Sequence, residues 1–268
     1  MQTSNDVGTL TIGGASFLAV FEDATWTCDP EFDDWQNPSR FRKGGQAMKN
    51  AAKLAVRSKP IKTGQTRVSH FDLSALTLAT QNLLPEMENW SFKVQNPINV
   101  IPNSGEFMRR YQADPGGTFM ADFGLQVADT SSVALALAVL LESDDPADLA
   151  AVLSLTLNSV AITVPGHLRR GSHAVQGRQK VSIGWESSDN GGTMPTAPTG
   201  TSTMLERACN APKTALAFTF VSKAVAGLSR TGYVLIESGE ISGEPDKIVK
   251  EAWNFVVSEP WTTSITAP

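Results

Sequence analysis

The sequence predicts a mainly β (α+β) chain: a β-sandwich or barrel with a few short peripheral helices. Three observations point there. Apolar and polar residues alternate over short stretches along most of the 268 residues, as in "KTALAFTFVSKA" and "RQKVSIGWESSD". Clusters of Gly, Pro, Asn and Asp punctuate these stretches at short intervals. Helix-start signals precede only short runs. The reading is of a single structural domain over 1–268, with about nine to eleven strands and three or four helices.

Taken in order, "GTLTIGGASFLAVF" alternates, turns at Gly13-Gly14 and alternates again, which predicts a hairpin. "QAMKNAAKLAVRS" carries Ala, Met and Lys with basic residues on one side, which predicts a helix ended by Pro60. "TRVSHFDLSALTLATQNLLPE" reads as a strand leading into a short helix capped by Asp72 or Ser74 and stopping near Pro85. "NWSFKVQNPINVI" is strand-like, and Pro97 suits a sheet edge. "GGTFMADFGLQVAD" is extended, whereas "SVALALAVLLES" fits either a strand or a helix, because a short apolar run does not fix its own period. "DDPADLAAVLS" has a helix start with Pro146 in its first turn. "LTLNSVAITVPG" returns to alternation, "NGGTMPTAPTGTST" reads as a long loop or arm, and "TMLERACNAP" is a short helix stopped before Pro212. The final pair, "RTGYVLIESGEISG" and "IVKEAWNFVV", forms two strands around the turn Glu244-Pro245-Asp246.

Composition excludes several classes. A formal net charge of -5 argues against a dedicated nucleic-acid binder, which is usually basic. Cys28 and Cys209 make no disulfide framework and no CxxC pair. The N-terminus lacks a basic segment followed by an apolar run, so it reads as no signal peptide, and "SSVALALAVLLES" is too short to span a bilayer. The reading includes no membrane partner.

The residues that carry chemistry are scattered. His167 and His173 stand six apart, which is not the spacing of a helical metal pair. No GxSxG, HExxH, P-loop or GxGxxG motif occurs, and Gly44-Gly45 beside Arg42 and Lys43 lacks the rest of a phosphate loop. The carboxylates of "ESDDPADL" miss the register of a calcium loop and suit a helix N-terminus. No catalytic constellation, cofactor or metal is expected, and the chain is read as a non-enzyme.

Charge segregation is the most unusual feature. Six acids, Glu22, Asp23, Asp29, Glu31, Asp33 and Asp34, fall within thirteen residues. Trp35 to Phe71 then holds no acid and nine bases: Arg40, Arg42, Lys43, Lys49, Lys53, Arg57, Lys59, Lys62 and Arg67. One reading is a solvated face beside a loop. The other is a docking arm at about 22–67, whose bases on one copy meet acids on another, a head-to-tail contact that builds rings or filaments. A local phosphate-binding patch around "RFRKGG" is a third reading.

The C-terminal order carries a family likeness. A short helix, the strand "KTALAFTFVSKA" and the pair built on Gly232, Ile236, Ser238, Ile241, Ser242 and Gly243 together resemble the end of the tail tube (major tail) proteins of long-tailed bacteriophages. The opening "GTLTIGGASFLAVFEDATWTC" is similar to their first hairpin, and the resemblance covers about 85 residues at the two ends. It implies a tail-tube-like fold, from which residues 90–170 depart as an elaboration or a duplication. It also implies a virion structural protein of the tail, assembled in the host cytoplasm. Its partners would be copies of itself in rings, usually sixfold, stacked as a tube, together with other virion proteins; DNA would pass through without specific binding. Under this resemblance the basic segment faces a neighbouring copy, and Trp253 and Phe255 on the last strand join the expected subunit interface. Two other readings stay open: a capsid or capsid-decorating β-sandwich or jelly roll, and a carbohydrate-binding β-sandwich using some of six tryptophans.

Overall fold

A computed structural model of the chain describes residues 2–3, 7–16, 21–36, 43–58, 73–101, 110–114, 117–157, 160–176, 178–188, 204–210, 213–222, 227–244 and 249–265. In chain order the first strands are β1 (Gln2–Thr3), β2 (Val7–Ile12), β3 (Ala15–Ser16), β4 (Phe21–Gln36), β5 (Lys43–Ser58), β6 (Leu73–Leu78) and β7 (Gln81–Asn82). After them come β8 (Met87–Gln95), β9 (Ile98–Ile101), β10 (Arg110–Ala113), β11 (Thr118–Gln126) and the helix α1 (Val133–Leu141). β12 (Ala150–Leu157), β13 (Val160–Gln176), β14 (Arg178–Ser187) and the helix α2 (Met204–Asn210) follow. The chain closes with β15 (Leu216–Ser222), β16 (Leu228–Gly243), β17 (Lys250–Val257) and β18 (Thr262–Ile265).

The fold is mainly β, as the alternation predicts. One antiparallel sheet runs β1-β4-β5-β17-β16-β8-β11-β14-β13-β12-β6-β7, with β15 and β18 branching from β16, β2 pairing with β15 and β3 with β2. Its path has two ends, so it does not close into a barrel. β9 and β10 form a separate ribbon. Between residues 90 and 170 the chain contributes β11, β12, most of β8 and the first part of β13 to this sheet, with β8 and β11 near its centre.

Alternation sorts the strands into two faces. On β11, Phe119, Ala121, Phe123 and Leu125 are buried while the residues between them are half-exposed. On β8, Trp90, Phe92 and Val94 point the same way. β16 lies in the same sheet between β17 and β8. A register shift between Ile236 and Ser238 bends it, so its first half pairs with β15 and β18 and its second half with β8. The bend carries β15 and β2 over the apolar face, where Phe218, Phe220, Leu10 and Ile12 are buried. The sheet curls far enough that Phe218 of β15 lies 5.6 Å from Trp26 of β4.

The turn between β2 and β3 needs glycine: Gly13 and Gly14 have φ of 58° and 79°, the left-handed values of a tight hairpin. Arg207 of α2 donates to the Gly13 carbonyl at 3.0 Å and fastens the turn. At the end of β8, buried Asn96 donates from Nδ2 to the carbonyls of Ala208 (3.2 Å) and Ile236 (3.1 Å), tying α2 to the bend in β16. Helix α1 is held at its N-terminus by Glu86, whose carboxylate accepts the backbone N–H of Val133 at 3.1 Å and of Ala134 at 2.9 Å.

Several helical expectations are corrected. "QAMKNAAKLAVRS" is part of β5, because Ala52, Leu54, Val56 and Ser58 are buried while Lys53 and Arg57 are exposed. A period of two prevails there over alanine's helical preference, because pairing with β4 and β17 buries one side of the strand. The helix expected near 74–85 is the β6–β7 hairpin, followed by a single 3-10 turn at Leu84–Glu86. Its turn residues, Ala79 and Thr80, have φ of 48° and 66°, a conformation that neither residue type advertises. Thr80→Gly is therefore expected to raise stability by about 1 kcal/mol in urea melts, and an unchanged midpoint would contradict strain at this turn. "DDPADLAAVLS" gives only the 3-10 turn Pro146–Leu149 before β12 begins. β8 is central, not an edge, since Pro97 lies just beyond it. Of the two readings of "SVALALAVLLES", the helix is the one formed.

Candidate interaction surface

The acid-rich and base-rich stretches are the two strands of one hairpin. β4 and β5 pair from Asp23↔Arg57 through Glu31↔Lys49 to Gln36↔Lys43. Segregation of sign along the sequence is thus opposition of sign across an antiparallel pair. Asp33 and Asp34 stand opposite Gln46 and Gly45, and Asp29 is exposed opposite Ala51. Arg40, Arg42, Lys59 and Lys62 lie outside the described residues.

Among the described pairings, this hairpin joins the rest of the sheet at its base. β5 pairs with β17 from Lys53 to Ser58, and β1 pairs with β4 at Asp23 and Ala24. From Lys43 to Ala52, β5 pairs with β4 alone among the described residues. Those ten residues make a two-stranded ribbon roughly 33 Å long. Trp26 anchors its base, with Phe218 on one side, Trp261 at 5.9 Å and the Arg230 guanidinium 5.2 Å above its ring.

The docked bases already have partners within the chain. Lys53 Nζ lies 2.8 Å from Glu237 Oε1, and Arg57 Nη1 lies 3.6 Å from Asp23 Oδ2. Trp253 and Phe255, expected at a subunit interface, are wholly buried in their own core, which corrects that expectation. Alternation reveals which face of a strand is covered, not which chain covers it. Trp90 and Trp185 are also core, and Trp26 and Trp261 pack against it while partly exposed.

The polar face of the sheet carries a charge grid that single positions in the sequence did not reveal. Lys93 lies 3.2 Å from Asp122 and 3.8 Å from Glu240, while Arg169 lies 3.4 Å from Asp122 and 4.0 Å from Glu186. Lys180 reaches Glu88 at 2.7 Å. The signal was present as polar residues alternating with apolar ones. The missing information was the register that makes them neighbours.

Among the described residues no group of three His, Cys, Asp or Glu is placed to hold a metal. The Asp129 carboxyl is held below the usual carboxylate range by the Ser131 hydroxyl and then by its backbone N–H, which is turn chemistry at an exposed site. Among the described residues no helix is long and apolar enough to cross a membrane. The class defined by fold and surface is a mainly β protein with an open, curled sheet and a projecting charged ribbon. No protein-family model, curated protein or solved structure matches the chain.

Proposed function

We propose that the chain is a virion structural protein, a subunit of tail-tube type that oligomerises into rings stacked as a DNA-conducting tube. The observation that supports this reading is the β4–β5 ribbon, which projects from the sheet with both edges open over Lys43–Ala52 among the described pairings. An isolated two-stranded ribbon is marginal in water, so one of this length calls for a partner that pairs with it or covers it. Open edges in a lone subunit are aggregation hazards, and assembly turns them into pairing sites. The ribbon presents an acidic strand on one side and a basic strand on the other. A second copy offers the complementary strand on each side, and such a head-to-tail contact propagates.

Purified protein examined by negative-stain electron microscopy is expected to give hollow tubes or stacked rings. Lys43→Glu with Lys49→Glu is expected to abolish them while leaving the circular dichroism spectrum and melting temperature unchanged, because both residues lie beyond the docked base. Single, dispersed particles at every concentration and salt would overturn the reading, as would tubes that survive the double substitution.

A further inference from the structure

The charge grid has an order that the ion pairs within one chain do not require. Eight strands contribute directly opposed residues to a single row across the polar face. One half is Asp23, Arg57, Ala252 and Glu240, on β4, β5, β17 and β16. The other half is Lys93, Met120, Glu186 and His167, on β8, β11, β14 and β13. Each of these residues sits next to a buried core residue on its strand, so the row lies on the outward face.

Turn this row through a half rotation about an axis that runs parallel to the strands between β16 and β8, and lay it on itself face to face. Glu240 then meets Lys93, Ala252 meets Met120, Arg57 meets Glu186 and Asp23 meets His167. The next outward-facing row obeys the same operation: Lys250, Ser242, Ser91 and Asp122 are successive neighbours, so Lys250 meets Asp122 and Ser242 meets Ser91. A half rotation about the perpendicular in-plane axis instead sets Glu240 on Glu240 and Lys93 on Lys93. Only the first operation matches opposite signs.

We propose that this polar face is the contact surface of a twofold dimer, with a second copy of the chain as its occupant. An isologous contact requires a surface complementary to itself, and the two rows supply that. The ion pairs within each chain, such as Lys93 with Asp122, hold the long side chains in place before contact, which lowers the ordering cost. Sheet twist limits close approach to the central strands β16, β8, β17 and β11, so Glu240 with Lys93 and Lys250 with Asp122 are the decisive pairs. The surface is separate from the distal β4–β5 ribbon, and dimerisation does not depend on that ribbon's part in assembly.

Mixed charge reversal tests it. Lys93→Glu alone sets two acids together twice across the dimer, and Glu240→Lys alone sets two bases together twice. Mixing the two variants restores opposite signs at both contacts. In sedimentation velocity the chain carrying Lys43→Glu and Lys49→Glu, which separates this contact from any assembly through the ribbon, is expected to show a concentration-dependent dimer that weakens as salt rises, and the further variants are made in that background. Each variant alone should dissociate at least about tenfold more readily, and the equimolar mixture should recover the dimer. Lys250→Glu mixed with Asp122→Lys should behave in the same way, which provides a second pair if the first does not fold by circular dichroism. A ribbon-substituted chain that never dimerises, a dimer indifferent to the single reversals, or a folded mixture that fails to recover would each overturn the proposal.

Discussion

Trp253→Ala is expected to cost about 3–5 kcal/mol, a large part of the margin by which a domain of ordinary stability stays folded. Trp253 is fully buried, and its indole lies flat on the backbone of Gly239 directly across on β16: a Cβ built there would fall 2.0 Å from Cζ3 of the ring. Its Nε1 donates to the buried Glu251 carboxylate at 3.3 Å. Truncation leaves a cavity between strands whose hydrogen bonds resist collapse, and it removes a donor from a carboxylate with no access to water. Urea denaturation checks the result. A loss below 1 kcal/mol would mean that β17 does not pack here as described. Trp253→Phe, which keeps most of the volume, should lose distinctly less.

Gly166→Ala is the second large effect, expected at about 3 kcal/mol from the addition of one methyl group. Gly166 lies where β13 crosses the indole of Trp185, and its Cβ would fall 2.3 Å from the Glu186 carbonyl oxygen and 2.3 Å from Cζ2 of the ring. The carbonyl belongs to a paired strand, and the indole is held by a hydrogen bond from Nε1 to the Ala151 carbonyl at 2.8 Å, so neither can yield cheaply. Gly14→Ala makes an informative comparison. No atom lies within 4 Å of its Cβ, so its cost comes from a φ of 79° alone and should be about 1 kcal/mol. Similar losses at the two sites in thermal or urea melts would contradict the close approach at Gly166.

The projecting ribbon was legible in the sequence as a charge anomaly but not as a hairpin. Lys, Ala and Met in "QAMKNAAKLAVRS" favour a helix locally, and only pairing with β4 and β17 makes the extended form the better solution. The same competition explains the β6–β7 hairpin, where Ala79 and Thr80 make a tight turn without the residues that usually announce one. Glu251, a carboxylate on a strand beginning "KEAW", is buried with Ser58 and Trp253. Its side chain follows the period-two face of Trp253 and Phe255.

What the sequence by itself determined was the mainly β character, the extended form of β8 and β11, the apolar face of Trp253 and Phe255 on β17, the Gly13-Gly14 turn, the short helix α2 and the two segregated blocks of charge. Each of these depends on neighbours a few residues apart. Which strands are adjacent, which of two cross-strand positions opposes a given charge, and whether a buried aromatic faces its own chain or another were decided only by the tertiary structure. The reason is register: a side-chain period of two assigns a face within one strand, and the pairing between strands far apart in sequence assigns everything else.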